Sequence, residues 1–251
     1  MSEEKFNSSQ FESAKKELED LIVNNLAHYI RDENMPNVSS SDRMKCYDII
    51  YKFSDNGFGK DLLKYHNDKV TECVNECYEK MKDLTGFDFM DSLILYTTRL
   101  NALIFYMSKT FKYISMNYLK ATHDKNYVRV YKENDVSEFS MVIYKKNFFD
   151  KLETKLLAIL NDPKILVEIE RNLECRKKIL KIMRIIFDME IIKPIIIKKS
   201  NTYFGWKVYS YDYNNNVPSE RLKKYEDFCK KIGLNAKDLN YLENYNLSEL
   251  I

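Results

Sequence analysis

The sequence predicts an all-α fold, built as an elongated helical bundle or solenoid. Three observations support this prediction. Apolar side chains recur at helical spacing through long segments. Helix breakers are scarce, with five glycines and four prolines in 251 residues, whereas all-β folds and phosphate-binding loops need more glycines at their turns. The stretch from Ser41 to Leu119 has the pattern of three long helices that carry regularly placed aromatic residues.

The first predicted helix runs from Phe11 to Ile30. Its apolar positions repeat every three to four residues, at Leu18, Leu21, Ile22, Leu26, Tyr29 and Ile30. A loop from Asp32 to Ser40 follows, and Ser41 or Asp42 is the predicted N-cap of the second helix. That helix is predicted to end at the turn formed by 55–59, where two glycines lie.

The middle of the chain predicts the longest helices. One extends from about Lys60 to Leu84. The next extends from Phe89 to about Leu119, so its thirty residues would span roughly 45 Å. A polar loop over 123–134 separates it from a helix over 139–160.

The sequence Asn161-Asp162-Pro163 predicts a break and a new start, with Asp162 as N-cap and Pro163 in the first turn. The following helix is predicted to continue to Phe187. The segment 191–199 is compatible with a short strand or with a helix start, because Pro194 divides a β-branched run. Two further helices are predicted over 217–232 and 235–247.

Composition restricts the compartment and the partners. Forty basic and 38 acidic residues leave a net charge of +2, so no strong field selects nucleic acid or an anionic membrane. No run of about eighteen apolar residues is present and no signal segment opens the chain, so we expect no membrane partner. Five irregularly spaced cysteines favour reduced thiols. The expected location is therefore cytoplasmic, nuclear or both.

The sequence contains no recognisable catalytic or metal-binding pattern. Cys73 and Cys77 lie one helical turn apart, but His66 lies on the same helix and a second source of ligands is missing. Packing thiols are the favoured interpretation. None of the three histidines has a nucleophile and an acid near it in sequence, and their predicted role is structural, at the surface or partly buried. Because phosphate-binding loops and metalloprotease motifs are also missing, we expect no enzyme, no cofactor and no metal.

A basic segment supports an alternative function. Its cations are followed in sequence by aromatic residues, and such a combination can bind single-stranded nucleic acid by stacking. The cations are Arg171, Arg176, Lys177, Lys178, Lys181, Lys198, Lys199 and Lys207, and the aromatic residues are Tyr203, Trp206, Tyr209 and Tyr211. The alternative is thus a helical nucleic-acid-binding protein that uses the basic face around Arg176. The nearly neutral total charge favours a solvated helix face instead.

Several segments share the pattern of one known family. Residues 43–51 contain Cys46-Tyr47 and then Tyr51, close to a helix pattern of Leu-Tyr-three residues-Tyr. Residues 111–119 are close to Phe-x-Tyr-Leu-Asp-Arg-x-Tyr-Val, with Ser115 and Met116 in place of the Asp-Arg pair. These patterns belong to the second and fifth helices of cullins, and from about Phe11 to Asp188 the chain resembles the N-terminal part of a cullin.

The weaker parts of the resemblance follow the same order. Residues 62–66 are similar to the start of the third cullin helix. Residues 147–160 and the helix to Asp188 are similar in kind to the helices that close the first cullin repeat. Residues 216–224 have a faint similarity to the start of a second repeat. The resemblance therefore implies a cullin-repeat-like bundle over 1–190, and a partial second repeat or a C-terminal helical extension over 191–251.

Cullins are scaffolds of ubiquitin ligases, and their second and fifth helices bind a BTB-fold or related substrate adaptor. The resemblance implies a noncatalytic scaffold with the same partner. By position, the adaptor-binding residues would be Arg43, Met44, Tyr47, Asp48, Tyr51, Tyr113 and Met116. A cullin also has a C-terminal half that recruits the RING subunit, for which 251 residues leave no room. The chain is therefore expected to hold an adaptor without delivering ubiquitin, as a truncated cullin, a decoy or a fragment.

Overall fold

The structure is a computed structural model that describes residues 7–31, 39–115 and 136–172, together with 174–175, 177–179, 181–183, 185 and 230. These residues are helical almost throughout and include no strand, which confirms the all-α fold class. The elongated or solenoid arrangement stays a prediction.

The described α-helices follow one another with short connections over most of the chain. They are α1 (Ser8–Leu18), α2 (Asn24–Arg31), α3 (Ser40–Phe53), α4 (Gly59–Met81), α5 (Gly86–Thr110), α6 (Val136–Tyr144), α7 (Asp150–Leu160) and α8 (Pro163–Arg171). π-Helical turns at Glu19–Val23, Ser54–Phe58 and Lys145–Phe149 join α1 to α2, α3 to α4 and α6 to α7. The predicted helices over 11–30 and 139–160 are therefore confirmed as helical segments.

The start of α1 is set by a capping box. The Gln10 backbone N–H donates to Asn7 Oδ1 at 2.9 Å, and the Asn7 backbone N–H donates to Gln10 Oε1 at 2.8 Å. Because these bonds satisfy N–H groups that have no partner within the helix, the helix begins at Ser8, three residues before the predicted start.

The predicted N-cap of α3 is wrong, because Ser39 occupies that position. The Asp42 N–H donates to Ser39 Oγ at 3.0 Å, and the Ser39 hydroxyl donates to Asp42 Oδ2 at 2.7 Å. This reciprocal pair needs an acidic residue three positions after the cap. Of the three consecutive serines, only Ser39 has one, so α3 begins at Ser40.

The predicted turn between α3 and α4 is confirmed at Asn56 and Gly57. Both residues have non-helical backbone angles, and Gly57 has a φ of 91°, a conformation that favours glycine. The Asn56 side-chain amide donates to the Lys52 carbonyl at 2.7 Å, in the last turn of the helix.

Helix α8 begins where the sequence predicts and ends earlier than predicted. Asp162 caps α8 as predicted, because its carboxylate accepts the Lys164 N–H at 2.9 Å, and Pro163 is the first helical residue. The single helix predicted from Pro163 to Phe187 is wrong, since α8 ends at Arg171. Asn172 has extended angles and its side chain accepts the Glu174 N–H at 2.9 Å, which starts a new turn.

Helix α5 is 25 residues long and ends at Thr110. A turn at Phe111 is followed by helical residues 112–115. The rest of the predicted thirty-residue helix, and the loop predicted over 123–134, lie outside the described residues. So do residues 191–251 apart from Lys230, and the division of the chain at about residue 190 stays a prediction.

The described residues form two compact units. The first contains those within Met1–Lys80 and Thr98–Phe148, and the second contains those within Met81–Thr97 and from Phe149 onward. Each unit has its own buried apolar side chains. In the first these include Leu18, Ile50, Leu62, Val74, Phe111 and Tyr144, and in the second Phe89, Leu93, Leu152, Leu156 and Ile169. No described helix has the length and apolarity needed to cross a membrane.

Candidate docking surface

One face of α3 packs into the first unit. Cys46, Ile50 and Phe53 are buried at spacings of four and three residues, so they form one stripe. The Phe53 ring lies 5.5 Å from Phe11 and 5.7 Å from Phe58, measured between centroids. These aromatic contacts fix α3 against α1 and the following turn, and thereby determine which face of α3 remains outside.

The outer face of α3 carries an exposed apolar cluster. Met44 is 61% exposed, Tyr47 is 42% exposed and Tyr51 is 43% exposed. Spacings of three and four residues place these side chains on one face of the helix. We call Met44, Tyr47 and Tyr51 the tyrosine ridge.

Tyr113 supports the tyrosine ridge from below. Its ring packs edge-on against Tyr51, with centroids 4.7 Å apart, and against Tyr47, with centroids 6.0 Å apart. Tyr113 itself is only 8% exposed, and its hydroxyl donates to Asp55 Oδ1 at 2.8 Å. The residues just after α5 therefore lie beside α3, but Tyr113 acts as a support and has little surface to offer a partner.

Asp55 receives a second tyrosine hydroxyl. The pKa of Tyr51 is raised, chiefly because its hydroxyl hydrogen-bonds to Asp55 and next because the negative carboxylate disfavours a phenolate. Two hydroxyls from different parts of the fold thus converge on one exposed carboxylate. Sequence analysis did not include Asp55 among the docking residues, although its position one helical turn after Tyr51 is visible in the sequence.

The structure places the other predicted docking residues as follows. Arg43, Met44 and Asp48 are exposed on α3, on or next to the tyrosine ridge. Met116 lies outside the described residues. Six of the seven predicted residues are thus described, five on the outside of α3 and one, Tyr113, packed beneath them.

A buried polar cluster in the first unit was not foreseen. His66 is fully buried, not at the surface or partly buried as predicted, and its Nε2 lies 3.4 Å from Ser140 Oγ. The Ser140 hydroxyl donates to the Val136 carbonyl at 3.1 Å, and the Val136 N–H donates to Ser115 Oγ at 2.9 Å. Ser115 thereby caps the first residue of α6 from a distant part of the chain.

The His66–Ser140 pair does not form an accessible nucleophile. Both side chains are completely buried, and the His66 ring packs edge-on against Phe111 with centroids 5.1 Å apart. Buried polar groups need partners, and this pair supplies them between α4 and α6. They lie 74 positions apart in the chain, which explains why no local sequence pattern indicated the contact.

Cys73 and Cys77 are buried thiols on α4. Within the described residues, no three histidine, cysteine or acidic side chains are grouped so that they could hold a metal ion. Burial raises the pKa of Cys77 to about 12 and that of Cys46 to about 11. Both therefore remain neutral thiols near pH 8.

We expect these thiols to resist alkylation in the folded chain. N-ethylmaleimide at pH 8 should modify Cys175, which is partly exposed, before it modifies Cys46, Cys73 or Cys77, because only an accessible thiolate reacts fast. Peptide mapping by mass spectrometry measures each site separately. Full modification in denaturant serves as the control, and rapid native labelling of Cys77 would contradict the packing described here.

Two lysines in the described part of the basic segment form ion pairs. Lys177 Nζ lies 2.7 Å from Glu174, and Lys178 Nζ lies 2.7 Å from Asp91. Arg171 and Lys181 are exposed. Arg176, the three later lysines and the four aromatic residues of the proposed stacking segment lie outside the described residues. The described contacts are those of a helix face whose charges are partly paired within the protein.

Comparisons of the chain with protein-family models, with curated proteins and with solved structures return no match. The resemblance to cullins therefore rests on sequence patterns alone.

Proposed function

We propose that the chain is a noncatalytic, cullin-like scaffold that binds a BTB-fold or related ubiquitin-ligase adaptor through the tyrosine ridge. One observation carries the proposal. Among the described residues, five large apolar side chains are prominently exposed, and three of them form the tyrosine ridge. The other two are Leu95 and Val167, on two different helices of the second unit.

The composition of the tyrosine ridge suits an interface. Tyrosine and methionine are enriched in protein–protein interfaces, and tyrosine is common among the residues that dominate binding energy. Tyr113 and Asp55 hold the ridge in place before a partner arrives, so less side-chain freedom is lost on binding. The resemblance assigns adaptor binding to this same helix, which is why we choose a BTB-fold adaptor over other protein partners.

The proposal is tested by a charge placed on the apolar end of the tyrosine ridge. We expect the full chain, used as bait, to recover a BTB-fold protein from cells of its source, identified by mass spectrometry. The Met44→Lys variant should recover at least tenfold less, because a lysine covered by the partner is desolvated without an ionic partner, at a cost of about 1.4 kcal/mol or more.

Leu95→Lys is the matched control, since Leu95 is also an exposed apolar residue on a helix. It should recover as much adaptor as the unmodified chain. Failure to enrich any BTB-fold protein would remove the proposed partner class. Equal recovery by Met44→Lys would remove the tyrosine ridge as the binding surface.

A further inference from the structure

Two carboxylates lie near Tyr51 in sequence, one on α3 and one in the turn that follows it. Asp48 precedes Tyr51 by three residues and Asp55 follows it by four, so all three share one stripe of the helix. Both carboxylates are exposed. The tyrosine ridge therefore has two negative charges near Tyr51, whereas its opposite end is the apolar side chain of Met44.

Among the described residues of this unit, some carboxylates are paired with a lysine and others are not. Glu12, Glu19, Asp68 and Glu76 each lie 2.5 to 3.2 Å from a lysine. Among the described residues, by contrast, no lysine or arginine forms an ion pair with Asp48 or Asp55. This holds although Lys45 and Lys52 lie about one helical turn from Asp48.

The charge at Asp55 is also held in place. Tyr113 and Tyr51 donate hydrogen bonds to this carboxylate, as described above. A carboxylate has about four acceptor positions, so two hydroxyl donors leave room for a further donor. The exposed tyrosine ring and the two carboxylates together favour a cation, which is attracted both by the face of the ring and by the negative charges.

We propose that the partner inserts a cationic side chain, best an arginine, against Tyr51 and between Asp48 and Asp55, next to an apolar side chain that packs on Met44 and Tyr47. The inference rests on the proposed function, because it assumes that the tyrosine ridge is the docking surface. A guanidinium fits this site better than an ammonium, since it stacks on an aromatic ring and can also donate two hydrogen bonds to a carboxylate.

The test uses a displayed library of random twelve-residue peptides, selected on the immobilised full chain. Binders that also bind the Tyr47→Ala/Tyr51→Ala chain are discarded, which leaves ridge-dependent peptides. We expect these to be enriched in arginine next to leucine, isoleucine, methionine or aromatic residues.

Affinity for the selected peptides is then measured on two charge variants. Asp48→Asn/Asp55→Asn should weaken binding about five- to tenfold, with a smaller effect at high salt, as expected for partly exposed charge pairs. Asparagine at 55 keeps an oxygen that can accept the Tyr113 hydroxyl. Asp61→Asn/Asp68→Asn removes two exposed carboxylates from α4 and should leave the affinity unchanged.

The outcomes separate this inference from the proposed function. Ridge-dependent peptides without enriched cations, or with the same affinity for Asp48→Asn/Asp55→Asn, would overturn the cationic anchor and leave the docking surface in place. Recovery of no ridge-dependent peptide would count against the docking surface itself, and the inference would fall with it.

Discussion

Replacement of both Tyr47 and Tyr51 by alanine is expected to lower the affinity for the captured BTB-fold adaptor about a thousandfold, since aromatic anchors contribute about 2 kcal/mol or more each. Both rings are more than 40% exposed. They can therefore be removed without opening the core of the first unit. Titration calorimetry of the variant and of the unmodified chain against the same adaptor measures the loss.

The fold should survive this double replacement. The variant loses two edge-on ring contacts with Tyr113, which together contribute about 1–3 kcal/mol to stability. Helical circular dichroism should stay unchanged. Phe105→Ala/Tyr106→Ala is the matched control, because it removes another neighbouring aromatic pair, half-buried on α5, and it should bind the adaptor normally. Unchanged affinity in the tyrosine variant, or loss of its helical signal, would contradict the assignment.

The second large effect concerns the stability of the fold and the buried ring of Phe111. Phe111→Ala should lower the free energy of unfolding by about 3–5 kcal/mol, because it removes a fully buried ring and leaves a cavity. The ring lies 6.2 Å from Tyr65 and 5.1 Å from His66, measured between centroids. Phe111 therefore anchors the turn that leads from α5 to Tyr113 against α4. Urea titration followed by circular dichroism measures the change.

Phe87→Ala provides the comparison for this effect. Phe87 is partly exposed near the start of α5, so its removal should cost about 1 kcal/mol or less. If the free energy of unfolding fell by a similar amount in both variants, Phe111 would not be packed as the structure has it. Weaker adaptor binding by Phe111→Ala at a temperature where it remains folded would indicate that the support beneath the tyrosine ridge has moved.

Local chemistry was enough to predict most helix positions. The Asp162 cap and the Asn56–Gly57 turn were found from sequence because each depends on residues within one or two turns of itself. Local chemistry gave a wrong N-cap for α3, where several neighbouring residues could serve as the cap. Three consecutive serines could cap α3, and only a bond to Asp42 selects Ser39. Asn172 interrupts a strongly apolar helical pattern because its side chain accepts the Glu174 N–H. This local hydrogen bond competes with the helix, and the spacing of apolar residues does not reveal it.

The candidate docking surface was also predicted only in part from the sequence. Spacing alone put Tyr47 and Tyr51 on one helix face, and the resemblance to cullins pointed to that face and added Met44. Spacing could not tell whether the face was inside or outside, because tyrosine and methionine are common in both places. The burial of Cys46, Ile50 and Phe53 against the rest of the first unit decides that the tyrosine ridge is outside.

By itself, the sequence determined the all-α fold class of the described residues, the Asp162 cap, the Asn56–Gly57 turn and the shared helix face of Tyr47 and Tyr51, because these features arise from contacts within a few residues. Tertiary structure alone decided that Tyr113 lies under Tyr47 and Tyr51 and donates its hydroxyl to Asp55, and that His66 meets Ser140 in the interior. These contacts join residues far apart in sequence. They exist only once the helices have packed, and packing depends on the summed burial of many side chains instead of any local pattern.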